Sequence, residues 1–126
     1  MGTFYSNCAV SPHSDRSRRA EIVGMLVDTG SELTWIAEPT LKALGVEPEK
    51  RATEFLTADG RSIVRDVGFA IIYFGERFTI DEVVFAQPGD LQILGARTLE
   101  GLNLAVDPAR KRLVSAGPLP AAVSAR

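Results

Sequence analysis

An acidic residue, Asp28, stands at the end of an apolar segment and is followed by Thr29, Gly30 and Ser31. The preceding residues 22–27 read Ile-Val-Gly-Met-Leu-Val, a composition typical of a buried strand. Two interpretations fit this pattern. In the first, Asp-Thr-Gly-Ser is a turn that ends the strand, because Asp and Ser bond their own backbone and glycine tolerates positive φ. In the second, the strand presents Asp28 to another carboxylate, and the pair performs acid–base chemistry on water.

Other catalytic groups are scarce in this chain. Cys8 is the only cysteine, which rules out an internal disulfide and favours a half-buried structural thiol. His13 is the only histidine and lies in a polar segment, so a Ser/His or Cys/His site is disfavoured. The glycine-spaced residues 89–101 lack both the phosphate-loop and the dinucleotide-binding patterns. We predict no metal site and no cofactor, and any catalysis falls to carboxylates.

Composition indicates one soluble globular domain over residues 1–126. The chain is 45% apolar and 24% charged with a net charge of −2, and its acids and bases are interspersed. Nucleic acid and anionic membrane surfaces are therefore not expected partners. Arg16, Arg18 and Arg19 lie among Ser and Asp residues and predict a solvated loop. No 18-residue apolar run and no signal-peptide pattern is present, so we expect a cytoplasmic protein.

Periodicity predicts an all-β chain with one or two short helices. The expected strands are an edge strand at 3–10, then 19–27, 33–36, 77–86 and 91–96, with Trp35 in the core. A helix is expected at 37–45, with Pro39 in its first turn and Gly45 past its end. A turn is expected at 87–90, a helical turn or two at 97–103, and a hairpin at 104–114. The tail at about 117–126 is expected to be loose.

The most informative predicted element is a hairpin. Its strands, about 52–57 and 62–74, meet at Thr-Ala-Asp-Gly-Arg-Ser, where Asp59 and Gly60 are typical of a tight turn. The tip carries small and polar residues with no apolar anchor. We therefore expect it to project from the core and to move.

Three features in order make the chain resemble the retropepsin-like aspartic proteases, especially their small bacterial and archaeal members. They are Leu-Val-Asp-Thr-Gly-Ser at 26–31, the hairpin tip Ala-Asp-Gly-Arg at 58–61, and Ile-Leu-Gly-Ala at 93–96 before a short helix. The resemblance implies a closed acid protease barrel, one lobe per chain, with the catalytic turn under a flap. The flap would comprise Ala58, Asp59, Gly60 and Arg61. The strand that crosses beside the catalytic turn and supports it would comprise Ile93, Leu94 and Gly95.

Physical chemistry explains the residues of the catalytic turn. An ionised Asp28 at the end of an apolar strand needs donors, and the Gly30 N–H and the Ser31 hydroxyl are expected to supply them. By resemblance, Thr29 bonds across to a partner turn. Only one Asp-Thr-Gly exists in the chain, so a pair of carboxylates requires a two-fold symmetric homodimer. Two such carboxylates a few ångströms apart share one proton.

Three functions remain open from the sequence. The first is an endopeptidase that cuts extended peptides beneath the flaps. The second is a peptide-binding or assembly module that keeps the fold and holds a peptide by strand addition. The third is an unrelated small β-barrel with a chance Asp-Thr-Gly-Ser, which a structure with residues 93–95 packed beside residues 28–30 would exclude.

Overall fold

The structure, a computed structural model, describes residues 3–124 and is predominantly β. In this range nine strands and two short helices occur, as the periodicity predicts. In chain order they are β1 Tyr5–Pro12, β2 Ala20–Val27, β3 Thr34–Ala37, α1 Glu38–Leu44, β4 Lys50–Leu56, β5 Ser62–Phe74, β6 Arg77–Ala86, β7 Ile93–Leu94, α2 Ala96–Gly101, β8 Leu104–Asp107 and β9 Arg112–Ser115.

Seven strands form one sheet in the order β1-β2-β7-β3-β6-β5-β4, and β8 and β9 form a separate hairpin. An additional pairing joins β1 to β5, so the hydrogen-bonded neighbours from β1 round to β5 form a ring, and β4 extends outside it. The expectation that β1 is an edge strand is therefore wrong. Its residues 9–12 pair with residues 70–73 of β5, while residues 5–10 pair with β2.

The main core lies inside the ring, where one face of each strand supplies apolar side chains. Phe85, Met25 and Ile36 are fully buried there. Cys8, expected to be half-buried, is only 3% exposed and contacts the Met25 sulfur at 3.1 Å. Desolvation by this burial, with a smaller contribution from Glu21, raises the pKa of the Cys8 thiol to about 12. The thiol is therefore a packing group rather than a nucleophile at neutral pH.

Local sequence signals place several elements correctly. Helix α1 begins with proline in its first turn and ends at Gly45, whose φ of 86° is the left-handed conformation that glycine tolerates. The turn at 87–90 closes with a hydrogen bond from the Asp90 N–H to the Gln87 carbonyl. The expected strand at 91–96 is shorter, because only Ile93 and Leu94 pair with their neighbours.

Two further predictions concern the ends of the chain and membranes. Residues 116–124 form no strand or helix, and residues 125–126 of the expected loose tail lie outside the described range. Of the helices within residues 3–124, neither has the length and apolar character needed to cross a membrane.

Candidate active site

Asp28 is the first residue after β2, and the backbone around it is tightly held. Its N–H donates to the Leu94 carbonyl at 3.2 Å, and its own carbonyl accepts from the Ser31 N–H at 3.1 Å. The Gly30 N–H donates to Asp28 Oδ1 at 2.9 Å. A Cβ on Gly30 would lie 3.1 Å from that same oxygen, so glycine lets the turn fold back onto the carboxylate. Asp28 is half-buried, and one of its two donors is where the sequence predicts it.

The second predicted donor is not on Asp28. The Ser31 hydroxyl donates instead to the Leu33 carbonyl at 2.9 Å. Short hydroxyl side chains readily bond backbone groups two residues away, and here that local bond fixes the exit of the turn. Within residues 3–124, Asp28 Oδ2 has no hydrogen bond and remains available to another molecule.

Residues 93–95 cross directly beside this turn. β7 pairs in parallel with β2, where Val27 lies opposite Leu94, and antiparallel with β3, where Trp35 lies opposite Ile93. At Gly95 an added Cβ would be 2.4 Å from the Leu33 carbonyl oxygen, a distance that no side chain tolerates. This packing is the one expected from the sequence, and it excludes an unrelated barrel with a chance Asp-Thr-Gly-Ser.

A series of buried hydrogen bonds beneath the turn is not predicted by the sequence. The Gly95 N–H donates to the Thr34 hydroxyl at 3.0 Å, and the Thr34 and Thr98 hydroxyls lie 2.6 Å apart. The Thr98 hydroxyl donates to Asp81 at 3.0 Å. Thr34 and Thr98 are fully buried and lie 64 positions apart in the sequence, so no local pattern predicts their pairing. The chain of bonds ties β3, β6 and α2 together under the candidate site.

The hairpin of β4 and β5 covers the other side of the site, and its turn falls where the sequence places it. Thr57 and Arg61 exchange backbone and side-chain hydrogen bonds across the turn, and Gly60 has a φ of 86°. The Thr57 hydroxyl donates to Asp59, as does the Arg61 Nε at 3.1 Å. These two donors, Thr57 first, lower the pKa of Asp59 below its usual value. The tip is therefore stabilised by its own side chains.

A pocket of about 380 Å³ lies between the hairpin and the turn. Apolar side chains dominate its walls. The lining residues are Gly30, Ser31, Glu32, Leu33, Trp35, Phe55, Leu56, Thr57, Ala58, Ile63 and Ile93. Of the four predicted flap residues, only Ala58 lines this pocket.

Trp35 was expected in the core, and that expectation is wrong. The side chain is half-buried, its ring centroid lies 5.2 Å from that of Phe55 on β4, and both rings line the pocket. An apolar residue on a short strand is compatible with either a core or a pocket wall. Only the position of the hairpin above it distinguishes the two.

A network of ion pairs begins at Glu32, which lines the pocket. Arg97 contacts Glu32 at 3.1 Å and Glu82 at 2.8 Å, and Lys50 also pairs with Glu82. The Lys50 bond and then Arg97 hold the pKa of Glu82 below its usual value, against the opposing effect of burial. This network links the exit of the turn at 28–31 to β6 and β4.

A second ion pair joins the hairpin to the body of the protein. Arg65 on β5 binds Asp90 with two hydrogen bonds of 2.7 and 2.8 Å, and the two side chains are only 18% and 14% exposed. Asp90 also accepts the Gln87 N–H at 2.8 Å. This bidentate pair fixes the long arm of the hairpin against the turn at 87–90.

No cluster of three or more His, Cys, Asp or Glu side chains suited to a metal ion occurs within residues 3–124. Asp28 is not among the residues that line the pocket, but Gly30 and Ser31 of its turn are. The arrangement is thus a half-buried carboxylate whose turn forms part of the wall of an apolar pocket beneath a hairpin.

Comparison with known proteins agrees with this geometry. A search of the curated proteins found none that matches the chain. The sequence model of a family described as aspartyl protease, of retropepsin-like type, matches residues 21–98. That range contains β2 except for Ala20, the Asp-Thr-Gly-Ser turn, the hairpin and the crossing strand, and it covers more than half of the chain. The chain belongs to this aspartyl protease family.

Proposed function

We propose that the protein is an aspartic endopeptidase that works as a homodimer, with one Asp28 from each chain forming the catalytic pair. The observation that carries the proposal is the state of Asp28. One carboxylate oxygen accepts the Gly30 N–H, the other has no hydrogen bond within residues 3–124, and Gly30 and Ser31 of the same turn line an apolar pocket. The aspartyl protease family, whose model includes this turn, supports the reaction class.

The need for a second chain follows from the count of suitable carboxylates. Glu32 lines the pocket, but it is paired with Arg97. Asp59 lies at the hairpin tip and is bound by Thr57 and Arg61. Asp-Thr-Gly occurs once in the sequence. A pair of equivalent carboxylates therefore requires a second copy of the turn, related by a two-fold axis.

The proposed mechanism uses the shared proton of that pair. Two carboxylates held close together do not both ionise, so one Asp28 is a base and its twin an acid. The base accepts a proton from a water molecule as the water oxygen attacks the scissile carbonyl carbon. The acid donates its proton to the carbonyl oxygen, which gives a neutral tetrahedral intermediate. When the C–N bond breaks, the leaving nitrogen takes the proton from one carboxyl of the pair, and the other carboxylate accepts a proton from a hydroxyl of the intermediate, which becomes the product carboxylic acid.

The other predicted residues take supporting roles in this proposal. Gly30 orients the Asp28 carboxylate through its N–H, and Ser31 fixes the exit of the turn through Leu33. Thr29 is exposed and available to contact the partner turn. Leu94 holds the Asp28 backbone, and Gly95 permits the close crossing. The apolar walls favour an extended peptide with a large apolar side chain in the pocket.

A peptide-binding module is the second candidate. One observation favours it: within residues 3–124, β4 pairs with β5 alone, which leaves its other edge for strand addition. Such a module has no use for a half-buried carboxylate with an open oxygen. Catalytic activity that depends on this carboxylate separates the two candidates.

The test is the substitution Asp28→Asn, which keeps the shape of the side chain and removes its proton exchange. We expect peptide-library cleavage to fall by about 10²-fold or more with folding retained. Asp107→Asn, at the end of β8, is the matched control and should cleave as wild type does. Unchanged cleavage by Asp28→Asn would exclude Asp28 as the catalytic acid. Binding of peptides by both variants, without cleavage by either or by wild type, would favour the binding module.

A further inference from the structure

The outer face of the sheet carries a second apolar region, away from the core. Ala9, Ile71 and Tyr73 form a small buried cluster there. On β6, Phe78 lies opposite Tyr73 and Ile80 lies opposite Ile71. Phe78 and Ile80 are 50% and 61% exposed, so the apolar strip continues from the covered cluster into solvent.

Two arginines from the segment between β1 and β2 lie over this region. The Arg19 guanidinium carbon is 4.0 Å from the Tyr73 ring centroid, and that of Arg16 is 4.5 Å from the Phe78 centroid. Arg16 also donates from Nε to the Tyr73 hydroxyl at 3.4 Å. These arginines are exposed, as the sequence predicts for a loop, but the aromatic rings hold them in place.

The charges of Arg16 and Arg19 are not neutralised by carboxylates within the described part of the chain. No carboxylate of residues 3–124 lies within 4.0 Å of Arg16 or Arg19, whereas Arg65 and Arg97 have such partners. A guanidinium stacked on a ring keeps its in-plane N–H groups available, and the stacking reduces the entropy lost when a carboxylate binds. The two arginines are therefore preorganised donors beside exposed apolar side chains.

We propose that this surface, the arginine patch of Arg16, Arg19, Tyr73, Phe78 and Ile80, binds an acidic peptide segment of a partner protein. Carboxylates of the segment bind the two guanidinium groups, and an apolar side chain between them packs on Phe78 and Ile80. We choose an acidic peptide because its carboxylates complement the positive charges of Arg16 and Arg19. A nucleic acid is disfavoured, because two cations on a chain of net charge −2 give little attraction for a phosphate backbone.

The arginine patch is separate from the candidate active site. Tyr73 is ten residues along β5 from Ile63, which lines the pocket, and this separation corresponds to roughly 33 Å of strand. An acidic segment on the patch and an extended peptide in the pocket can therefore bind the same molecule together. The proposal does not depend on the proposed catalytic mechanism.

The test measures the fluorescence anisotropy of a labelled ten-residue peptide that alternates Glu with Leu. All proteins carry Asp28→Asn, so that the probe remains intact. In Arg16→Gln/Arg19→Gln we expect the Kd to rise by about ten-fold or more. The matched control Arg110→Gln/Arg112→Gln removes the same charge near the turn between β8 and β9 and should change the Kd by less than about two-fold. A peptide with Gln in place of Glu should bind about ten-fold more weakly or worse.

Further variants keep the test decisive if the double variant is poorly folded by circular dichroism. Arg16→Lys/Arg19→Lys retains charge but loses the planar fork, and Phe78→Ser removes an exposed apolar contact; both should weaken binding by about three-fold or more. The proposal is overturned if Arg16→Gln/Arg19→Gln and Arg110→Gln/Arg112→Gln raise the Kd of the peptide equally. It is also overturned if Phe78→Ser leaves the Kd unchanged. It is also overturned by tighter binding of a single-stranded oligothymidine than of the peptide, or by the absence of saturable peptide binding.

Discussion

The turn at residues 28–31 and the hairpin tip at residues 57–61 flank the same pocket but are held in opposite ways. The turn is bonded to other elements: Asp28 to Leu94, and the Ala96 N–H to the Ser31 carbonyl at 2.7 Å. In the tip, the hydrogen bonds within the described chain join only members of the tip, around Thr57 and Asp59. The turn cannot shift without breaking contacts to the body, whereas the tip can shift as a unit.

This difference suits a site in which one half must be fixed and the other must admit a ligand. A carboxylate that is to meet a symmetry-related twin needs an accurately placed backbone, because proton sharing depends on their separation. A cover over an extended peptide needs a hinge and a tip that keeps its own shape. The predictions below test whether the contrast is real.

The largest effect on the free energy of unfolding is expected from alanine substitutions of one glycine in each region. Gly95 has an ordinary φ of −91°, but an added Cβ would meet the Leu33 carbonyl oxygen at 2.4 Å. Gly60 at the hairpin tip has a φ of 86° and nothing within 4 Å of an added Cβ. Gly95→Ala should therefore lower the free energy of unfolding by more than about 3 kcal/mol, whereas Gly60→Ala should cost about 1 kcal/mol.

Urea unfolding of both alanine variants checks this prediction. The Gly95→Ala cost arises from a contact and the Gly60→Ala cost from backbone strain alone. Equal or reversed costs would show that the turn is not the more constrained region.

An intermediate effect is expected where the hairpin arm meets the body, at the Arg65–Asp90 pair. The Arg65 hydrogen bonds, opposed by burial, lower the pKa of Asp90 below its ordinary 3.8. The folded state thus favours the ionised carboxylate, and the resulting stability is present above pH 3.8 and is lost as the pH falls through the lowered pKa. Asp90→Asn should lower the free energy of unfolding by about 1–3 kcal/mol at pH 7.

The pH dependence of this loss distinguishes the ion pair from simple packing. We expect the difference between wild type and Asp90→Asn to shrink as the pH is lowered from 5 toward 2. Asp59→Asn, at the exposed hairpin tip, is the control and should show little change in stability at either pH. A difference for Asp90→Asn that is constant with pH would mean that its charge does not hold the hairpin arm.

The smallest effect in free energy is expected at the hairpin tip itself. Amide hydrogens of residues 57–62 should exchange faster than those of β2, and they should slow when a peptide-like inhibitor with a hydroxyl in place of the scissile carbonyl binds. Mass-spectrometric exchange on the free and inhibited protein measures both. Equal exchange in the tip with and without inhibitor, at inhibitor saturation, would contradict a closing flap.

The fold was most predictable where the determinants are local. The bounds of β5 and β6 follow from alternation and from the turns beside them, and Gly45 marks the end of α1 because only a left-handed residue fits there. The pairing of β1 with β5 closes the ring over more than fifty residues of sequence. No local pattern encodes such a pairing, so the sequence alone predicts an edge strand for β1.

The candidate site likewise has features that local sequence predicts and features that depend on long-range contacts. Residue type and order single out Asp28 and Gly30, and the family resemblance implies the crossing at Gly95; the structure brings the three together. The sequence predicts a bond from the Ser31 hydroxyl to Asp28, but the hydroxyl donates to the Leu33 carbonyl two residues away. Neither the pairing of Thr34 with Thr98 nor the place of Trp35 in the pocket wall can be read from neighbouring residues.

The central claim, that catalysis needs one Asp28 from each of two chains, is tested most directly by mixing chains. Wild type is combined with an increasing excess of Asp28→Asn, subunit exchange is demonstrated by labelling, and activity per wild-type chain is measured. An excess of Asp107→Asn serves as the control. We predict that activity falls with the fraction of mixed dimers and approaches zero at high excess of Asp28→Asn, while the control leaves it unchanged. Full activity despite demonstrated exchange, or activity in a proven monomer, would contradict the shared pair.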